Sequence, residues 1–428
     1  MLNRKIAPKI TDAIEFHLAL PPCQKHILKN GVEVYTIDLG TQDTLMINWV
    51  FLAGNWYEEK NLVASAANFL LKNGTQKRNA FEINEHFEYY GSFLNRSCQN
   101  ETAEITLHCL NKHVHELLPV VAELITDSIF PAEELEIYKK NMQQRLRVSL
   151  LKNDFVAGRL IDSYLFGKEH PYGKYGSLED YAALGQQEIK EFYKRYYLQG
   201  RCIIFAAGIL PPNLIAEIEL HFGSLPLTSP KEMDGGIQHS IIPAKEKKYR
   251  ISNDPNGVQG AIRIGRNFPN RHHPDFQKMH VLNNIFGGFF GSRLMANIRE
   301  DKGYTYGIYS YLMNQMQESA LLISTEAGKE VSEATIEEVY KEMKRLREEP
   351  IPEEELQTSR NFMIGTILGD LDGPFQVAGR WKNIILNTLD ENYFYSGINI
   401  IKTITPGELQ TLANKYLQPE AFYELVVV

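Results

Sequence analysis

Residues 61–78 read NLVASAANFLLKNGTQKR, and residues 286–306 read FGGFFGSRLMANIREDKGYTY. The first stretch runs from Asn61 and Ala64, through Ser65-Ala66-Ala67-Asn68-Phe69, to Gly74, Thr75, Lys77 and Arg78. The second sets Gly287 and Gly288 ahead of Arg293-Leu294, then places Arg299 seven residues before Tyr306 (306 − 299 = 7). Phosphate binding by these glycines has little support. No Gly-Lys-Ser/Thr follows them, and they precede an Arg-Leu helix pattern.

Around these stretches the chain repeats itself weakly. Pro131-Ala132-Glu133-Glu134-Leu135 followed by Met142 is echoed by Pro352-Glu353-Glu354-Glu355-Leu356 followed by Met363, an offset of 221 (352 − 131). Tyr197-Leu198-Gln199 is echoed by Tyr416-Leu417-Gln418, an offset of 219 (416 − 197). Two near-equal offsets in the same order indicate two related halves. Each half reads as strand, strand, helix, strand, strand, then long helices and a closing strand. In the first half, β-branched and aromatic content with partial alternation predicts strands over 32–37, 46–52, 92–98 and 103–109. Helices are expected from about 114, about 132 and about 187. Mostly antiparallel sheets with helices packed on one face make an α+β fold. The boundaries expected are an N-terminal half over 1–229, a linker over 230–249 where Pro and Gly accumulate, and a C-terminal half over 250–428.

The first stretch resembles the metal-site helix of the M16 (pitrilysin, insulinase and processing-peptidase) metallopeptidases. That family's pattern runs approximately N-G-x-A-H-F-L-E-H-x-x-F-K-G-T-x-K-R. The resemblance extends from about residue 25 to the C-terminus and implies two homologous halves of the LuxS/MPP-like metallohydrolase fold. It also implies where chemistry has been lost. The inverted zinc motif His-x-x-Glu-His falls on Ser65, Asn68 and Phe69, and the third ligand falls close to Arg145 by its spacing from Phe69. Zinc hydrolysis needs about three nitrogen or oxygen ligands and a general base. A guanidinium would repel the cation rather than hold it. The expectation is therefore no metal in this chain, with zinc in a partner subunit.

The second stretch resembles the M16 pattern L-G-G-G-x-x-S-R-L-x-x-x-I-R-E-x-x-G-L-A-Y. In the family an Arg and a Tyr seven apart reach across the cleft, and they fall on Arg299 and Tyr306. A guanidinium and a phenol are donors suited to a substrate carbonyl and its developing oxyanion. The plainer alternative is that Arg299 caps or pairs on a helix surface and Tyr306 packs in a strand. Asn95, Gly287 and Gly288 are the positions at which the resemblance implies contact with an extended peptide. Asn95 lies in Gly91-Ser92-Phe93-Leu94-Asn95, similar to the family's G-G-x-x-N-A edge strand, where peptide pairs by β-augmentation. Arg96 stands where a small residue is usual.

Composition narrows the rest. Hydrophobic content of 43% with 23% charged residues is ordinary for a globular protein. A net charge of −8 argues against nucleic acid as a partner. The basic run Lys245-Glu246-Lys247-Lys248-Tyr249-Arg250 is short and carries an acid. Cys23, Cys98, Cys109 and Cys202 show no Cys-x-x-Cys spacing, which fits free thiols in a reducing compartment. The opening residues lack an apolar signal core, and no apolar run reaches the roughly 20 residues of a membrane span. A cytoplasmic location follows. Two other metal clusters are conceivable, His113, His115 and Glu116 with His108, and His272, His273 and Asp275. Both are better explained as polar helix starts or loop entries. The leading expectation is a dimeric partner of a zinc-bearing M16 peptidase subunit, acting on extended peptide. Its rivals are a core-protein-like structural or peptide-binding homologue and a peptidase with different metal ligands.

Overall fold

The computed structural model describes residues 12–230 and 237–428. Part of the expected linker, residues 231–236, and the first eleven residues of the N-terminal half lie outside it.

The first sheet contains β1 (Gln24–Ile27), β2 (Glu33–Asp38), β3 (Thr44–Phe51), β4 (Phe93–Cys98), β5 (Ala103–Leu110) and β6 (Cys202–Gly208), in the order β1-β2-β6-β3-β5-β4. The second contains β7 (Lys248–Ile251), β8 (Gln259–Phe268), β9 (Thr305–Asn314), β10 (Ser319–Gly328) and β11 (Tyr423–Val427), in the order β7-β11-β8-β10-β9. Among these strands, only the pairs β2 with β6 and β7 with β11 run parallel. The duplication read from short words is thus present as topology: removing β1 leaves the same strand order in both halves. The four expected strands of the first half form within two residues of their predicted starts. In β5, alternate residues Ala103, Ile105, Leu107 and Cys109 are buried, as a half-buried strand requires. The closing strands β6 and β11 are buried at every residue, because both of their faces are covered.

The helices of the first half are α1 (Val63–Leu70), α2 (Ala80–Tyr89), α3 (Val114–Asp127), α4 (Ala132–Leu150), α5 (Asn153–Phe166), α6 (Leu178–Ala182), α7 (Gln186–Tyr193) and α8 (Leu214–Phe222). Those of the second are α9 (Asp275–Asn283), α10 (Ser332–Glu348), α11 (Glu353–Gly369), α12 (Pro374–Leu386), α13 (Glu391–Thr403) and α14 (Pro406–Tyr416). Start signals are local and conventional. Asn79 and Glu82 form a capping box on α2, and Thr405 and Glu408 form one on α14 ahead of Pro406.

The halves are joined by an exchange. α5 of the first half packs on β8 and β11 of the second, so Leu322, Leu425 and Val427 belong to the first half's core. Reciprocally, α12 lies on β2 and β6, where Leu386 joins Val50, Ile203 and Phe205. Each sheet therefore carries its own helices on one face and a borrowed helix on the other. Lys382 of α12 adds an ion pair to Glu104 of β5, with Nζ 2.7 and 2.9 Å from the two carboxylate oxygens. Between residues 237 and 247 the chain runs along the end of α5, where Ile242 N donates to Phe166 O and Ala244 N to Tyr164 O. No helix among the described residues is long and apolar enough to cross a membrane.

Candidate functional site

α1 begins abruptly. Leu62, immediately before it, has a left-handed backbone (φ +71°), which a branched side chain tolerates only when the surroundings hold it there. They do: the Glu58 carboxylate accepts from Leu62 N at 3.1 Å and Ala64 N at 3.0 Å, capping the helix from outside. Burial pushes the Glu58 carboxyl up to about 7, against the opposing pull of these two amides.

On α1, Ser65 turns its hydroxyl back to Leu62 O at 3.0 Å. Asn68 is buried and donates to the Tyr197 hydroxyl at 3.1 Å and to Glu104 O at 3.3 Å. Phe69 packs its ring on Tyr138 of α4, with centroids 4.9 Å apart. Arg96 of β4 closes the group. Its guanidinium lies 5.0 Å from the Phe69 ring centroid and donates to the Phe69 carbonyl. Burial lowers the Arg96 pKa to about 10, still well above neutrality, so the group remains a cation.

Beside Ser65 is a cavity of about 330 Å³ between the halves. Its walls include Glu58, Arg159, Asp162 and Lys174 from the first half and Met313 and Gln315 from the second. Burial raises Asp162 to about 6, opposed by a hydrogen bond from the Tyr175 hydroxyl. Arg145 does not face this space. It is exposed on α4, and its neighbour Leu146 lines the wall. One residue along a helix turns the side chain by about 100°, so Leu146 faces inward where Arg145 faces solvent.

This donor set does not fit zinc. A hydroxyl and a phenyl ring stand at the two histidine positions, a carboxamide already engaged as donor stands at the glutamate, and a guanidinium lies next to them. Among the described residues no group of three or more His, Cys, Asp or Glu side chains could hold a metal. His115 instead binds Glu217 at 3.0 Å, and Asp275 accepts from Lys415 and the Tyr416 hydroxyl at 2.7 Å each. His113 packs against Tyr90, and His108 against Phe375.

Two family profiles match along the chain, "Insulinase (Peptidase family M16)" over residues 34–166 and "Peptidase M16 inactive domain" over residues 183–363. The chain belongs to the M16 peptidase family. An uncharacterized zinc protease of Bacillus subtilis, YmxG, is 24% identical over 380 residues, covering 86% of this chain and 90% of that one. Subunit 1 of the mitochondrial cytochrome b-c1 complex of Caenorhabditis elegans is 21% identical over 312 residues, covering 70% and 65%. In fold, the chain is similar to a peptidase M16 inactive domain from Pseudomonas fluorescens, with a TM-score of 0.84 at 20% identity over 95% of this chain and 98% of that one. It is also similar to a chain of complex III2 from Candida albicans, with a TM-score of 0.75 at 15% identity over 94% and 95%. M16 relatives thus include both proteins named as zinc proteases and a respiratory-complex subunit.

The other M16 positions fall in the second half and at a sheet edge. Arg299 lies in a π-helical segment, Met295–Asp301, and Tyr306 at the start of β9. Arg299 Nε donates to Tyr306 O at 2.9 Å, its guanidinium covers the Phe290 ring at 4.7 Å, and it pairs with Glu300. Tyr306 is 92% exposed, not packed within the sheet. Neither residue lines the cavity beside Ser65. Gly287 is buried where a Cβ would come 2.8 Å from Ser310 N, so it permits close approach of β9. Gly288 is exposed beside it. Asn95 points outward from β4, an edge strand paired only with β5. The residues that sequence reasoning missed are Arg96 as the group covering Phe69, and the cavity acids Glu58 and Asp162. Only Arg96 left a signal, as a large cation where the M16 pattern has a small residue.

Proposed function

We propose that this chain is a metal-free subunit of an M16-type zinc peptidase, presenting Arg299 and Tyr306 to peptide held in the active site of a zinc-bearing partner. The observation that carries the reading is the coupling of the two residues. The Tyr306 carbonyl anchors Arg299, while the phenol projects almost wholly into solvent on an edge strand. A well-packed structural tyrosine would bury its ring; this one is available to something outside the chain. The metal and the hydrolytic water belong to the partner. This chain's contribution is two donors aimed at a substrate carbonyl as charge develops on it. The edge of β4 at Asn95 is available to an extended peptide by the same logic of unpaired backbone. Four free thiols support a reducing, cytoplasmic setting.

The test is co-expression with an M16 protein that retains His-x-x-Glu-His, followed by assay of peptide cleavage by the purified complex. Arg299→Ala and Tyr306→Phe should each lower kcat by about 100-fold, the scale of a lost oxyanion donor, with complex formation unchanged. Full activity in both variants would overturn the proposal. The second reading, a non-catalytic structural or peptide-binding homologue, is favoured by the cation and aromatic rings packed around Ser65, Asn68 and Phe69. It predicts stable association that is indifferent to both substitutions.

A further inference from the structure

The second half holds its own cavity, of about 520 Å³, between α9, α11, α12 and α13. It is the counterpart of the cavity beside Ser65. Arg380 on α12 enters it as Arg159 on α5 enters the other, and their separation is 221 (380 − 159), the offset of the repeated proline words. Its volume lies within the range of small-molecule pockets, roughly 300–1,000 Å³. Its aliphatic wall is built from Ile367, Ile384, Leu389, Ile398 and Ile401.

Its charged groups are Arg271, Arg380 and Asp370. Arg271 is only 7% exposed, yet its partners are neutral: Nε donates to Asn314 Oδ1 at 3.3 Å and Nη1 to Asn383 Oδ1. The carboxylate that acts on it electrostatically, Glu101, is already bonded by the Tyr172 hydroxyl and the Met316 amide. A buried guanidinium without a paired anion is costly, and burial indeed lowers its pKa. Arg380, one helical turn before Asn383, lines the same cavity with its guanidinium over the Phe394 ring at 5.5 Å. Arg380 Nη2 is paired with Asp370 at 2.6 Å, but its Nε is buried without a partner. His280 lines the same space, within the electrostatic reach of Arg271, with its ring edge-on to Phe276 at 4.9 Å. One carboxylate would neutralise Arg271, and an apolar tail would fill the aliphatic wall. Thr366 and Asp370, exposed at the rim, mark its edge.

We propose that this cavity is a binding site for a monocarboxylate with an apolar tail, its carboxylate on Arg271 with Arg380 alongside. Two sources share that chemistry, a free aliphatic acid and the C-terminal residue of a peptide. The full chain is titrated calorimetrically with octanoate, with N-acetyl-leucine as the peptide-end mimic, and with octanamide as the uncharged control. Binding of one acid per chain is expected, about tenfold or more tighter than octanamide, the scale of a charge-assisted bond. Whichever acid binds more tightly identifies the source. Arg271→Gln and Arg380→Gln should each weaken the acid by about tenfold while leaving octanamide unchanged. The proposal is overturned if neither acid binds up to about 10 mM, if octanamide matches octanoate, or if both variants keep wild-type affinity. Should Arg271→Gln fail to fold, Arg380→Gln and the comparison of acid with amide on the unaltered chain still decide.

Discussion

The Arg96 guanidinium rests 5.0 Å from the ring centroid of Phe69 and binds the Phe69 carbonyl, so a fixed cation lies against the position where the M16 pattern has its second histidine. A dication held about 5 Å from a unit positive charge is repelled by roughly 6–7 kcal/mol at an effective dielectric of 20. Restoring the three motif residues therefore leaves both this repulsion and the missing third ligand on α4. The Ser65→His, Asn68→Glu, Phe69→His triple variant should purify with far less than one equivalent of zinc. Metal analysis checks this, and stoichiometric zinc would show that Arg96 yields.

Gly287 and Gly288 separate a packing role from a binding role. A Cβ on Gly287 meets Ser310 N, Ser310 Cβ and Leu294 Cδ1, each at 2.8 Å, and two of these belong to the β9 strand itself. Gly287→Ala should cost about 1–3 kcal/mol, the usual penalty of overpacking. At Gly288 the nearest atoms are 3.1 and 3.2 Å away, so Gly288→Ala should cost less than about 1 kcal/mol. Urea denaturation of the two variants gives the comparison. Equal losses would mean that the β9 contact at Gly287 relaxes freely.

Glu58 and Asp162 make stability depend on pH around the cavity. Burial raises both carboxyls, to about 7 and about 6, against the partial relief that Lys174 gives Glu58 and Arg263 gives Asp162, while Asp180 adds to the rise at Glu58. Each binds its proton more tightly folded than unfolded. Their contribution to stability is complete below the ordinary carboxylate range, and it is lost as pH rises through 6 and then 7. Relative to wild type, Asp162→Asn and Glu58→Gln should flatten the fall in urea midpoint between pH 5 and 8. Parallel pH profiles for wild type and both variants would remove these two groups as its cause.

Much of the fold is legible in the chain, and the reasons are local. Alternation in Ala103, Ile105, Leu107 and Cys109 marks β5 because burial follows the strand period of two. The repeated words at Pro131 and Pro352 fall just ahead of α4 and α11, which occupy equivalent places in the two halves. What escapes is set by contacts distant in sequence. Arg96 meets Phe69 only because β4 packs over α1, and nothing near either residue encodes that meeting. Counting along the chain gives Arg145 its place in the motif but not its face, which is set by Leu135, Tyr138 and Leu146 reaching inward. The exchange of α5 and α12 has no local signature, since an amphipathic helix does not declare which sheet it will cover.

That exchange makes the halves interdependent, and Lys382 with Glu104 is where this can be measured. The Glu104 side chain is 13% exposed and Lys382 is 29% exposed. Asn48 Nδ2 also donates to Glu104, at 2.8 Å. Lys382→Met leaves the carboxylate with neutral donors only, and should cost about 1–3 kcal/mol. Glu104→Gln removes the charge but keeps an acceptor for Asn48, so it should cost less. The double variant should lose less than the sum of the two, with a coupling of about 0.5–3 kcal/mol expected for residues in direct contact. Additive losses in urea denaturation would mean that the pair does not hold the halves together. The apolar part of the same contact, Leu386 on Val50, Ile203 and Phe205, predicts more. A chain ending at residue 230 lacks α12 and exposes this face of the first sheet. It should therefore be recovered as aggregate, and a soluble, cooperatively unfolding fragment would show that the first half stabilises its sheet alone.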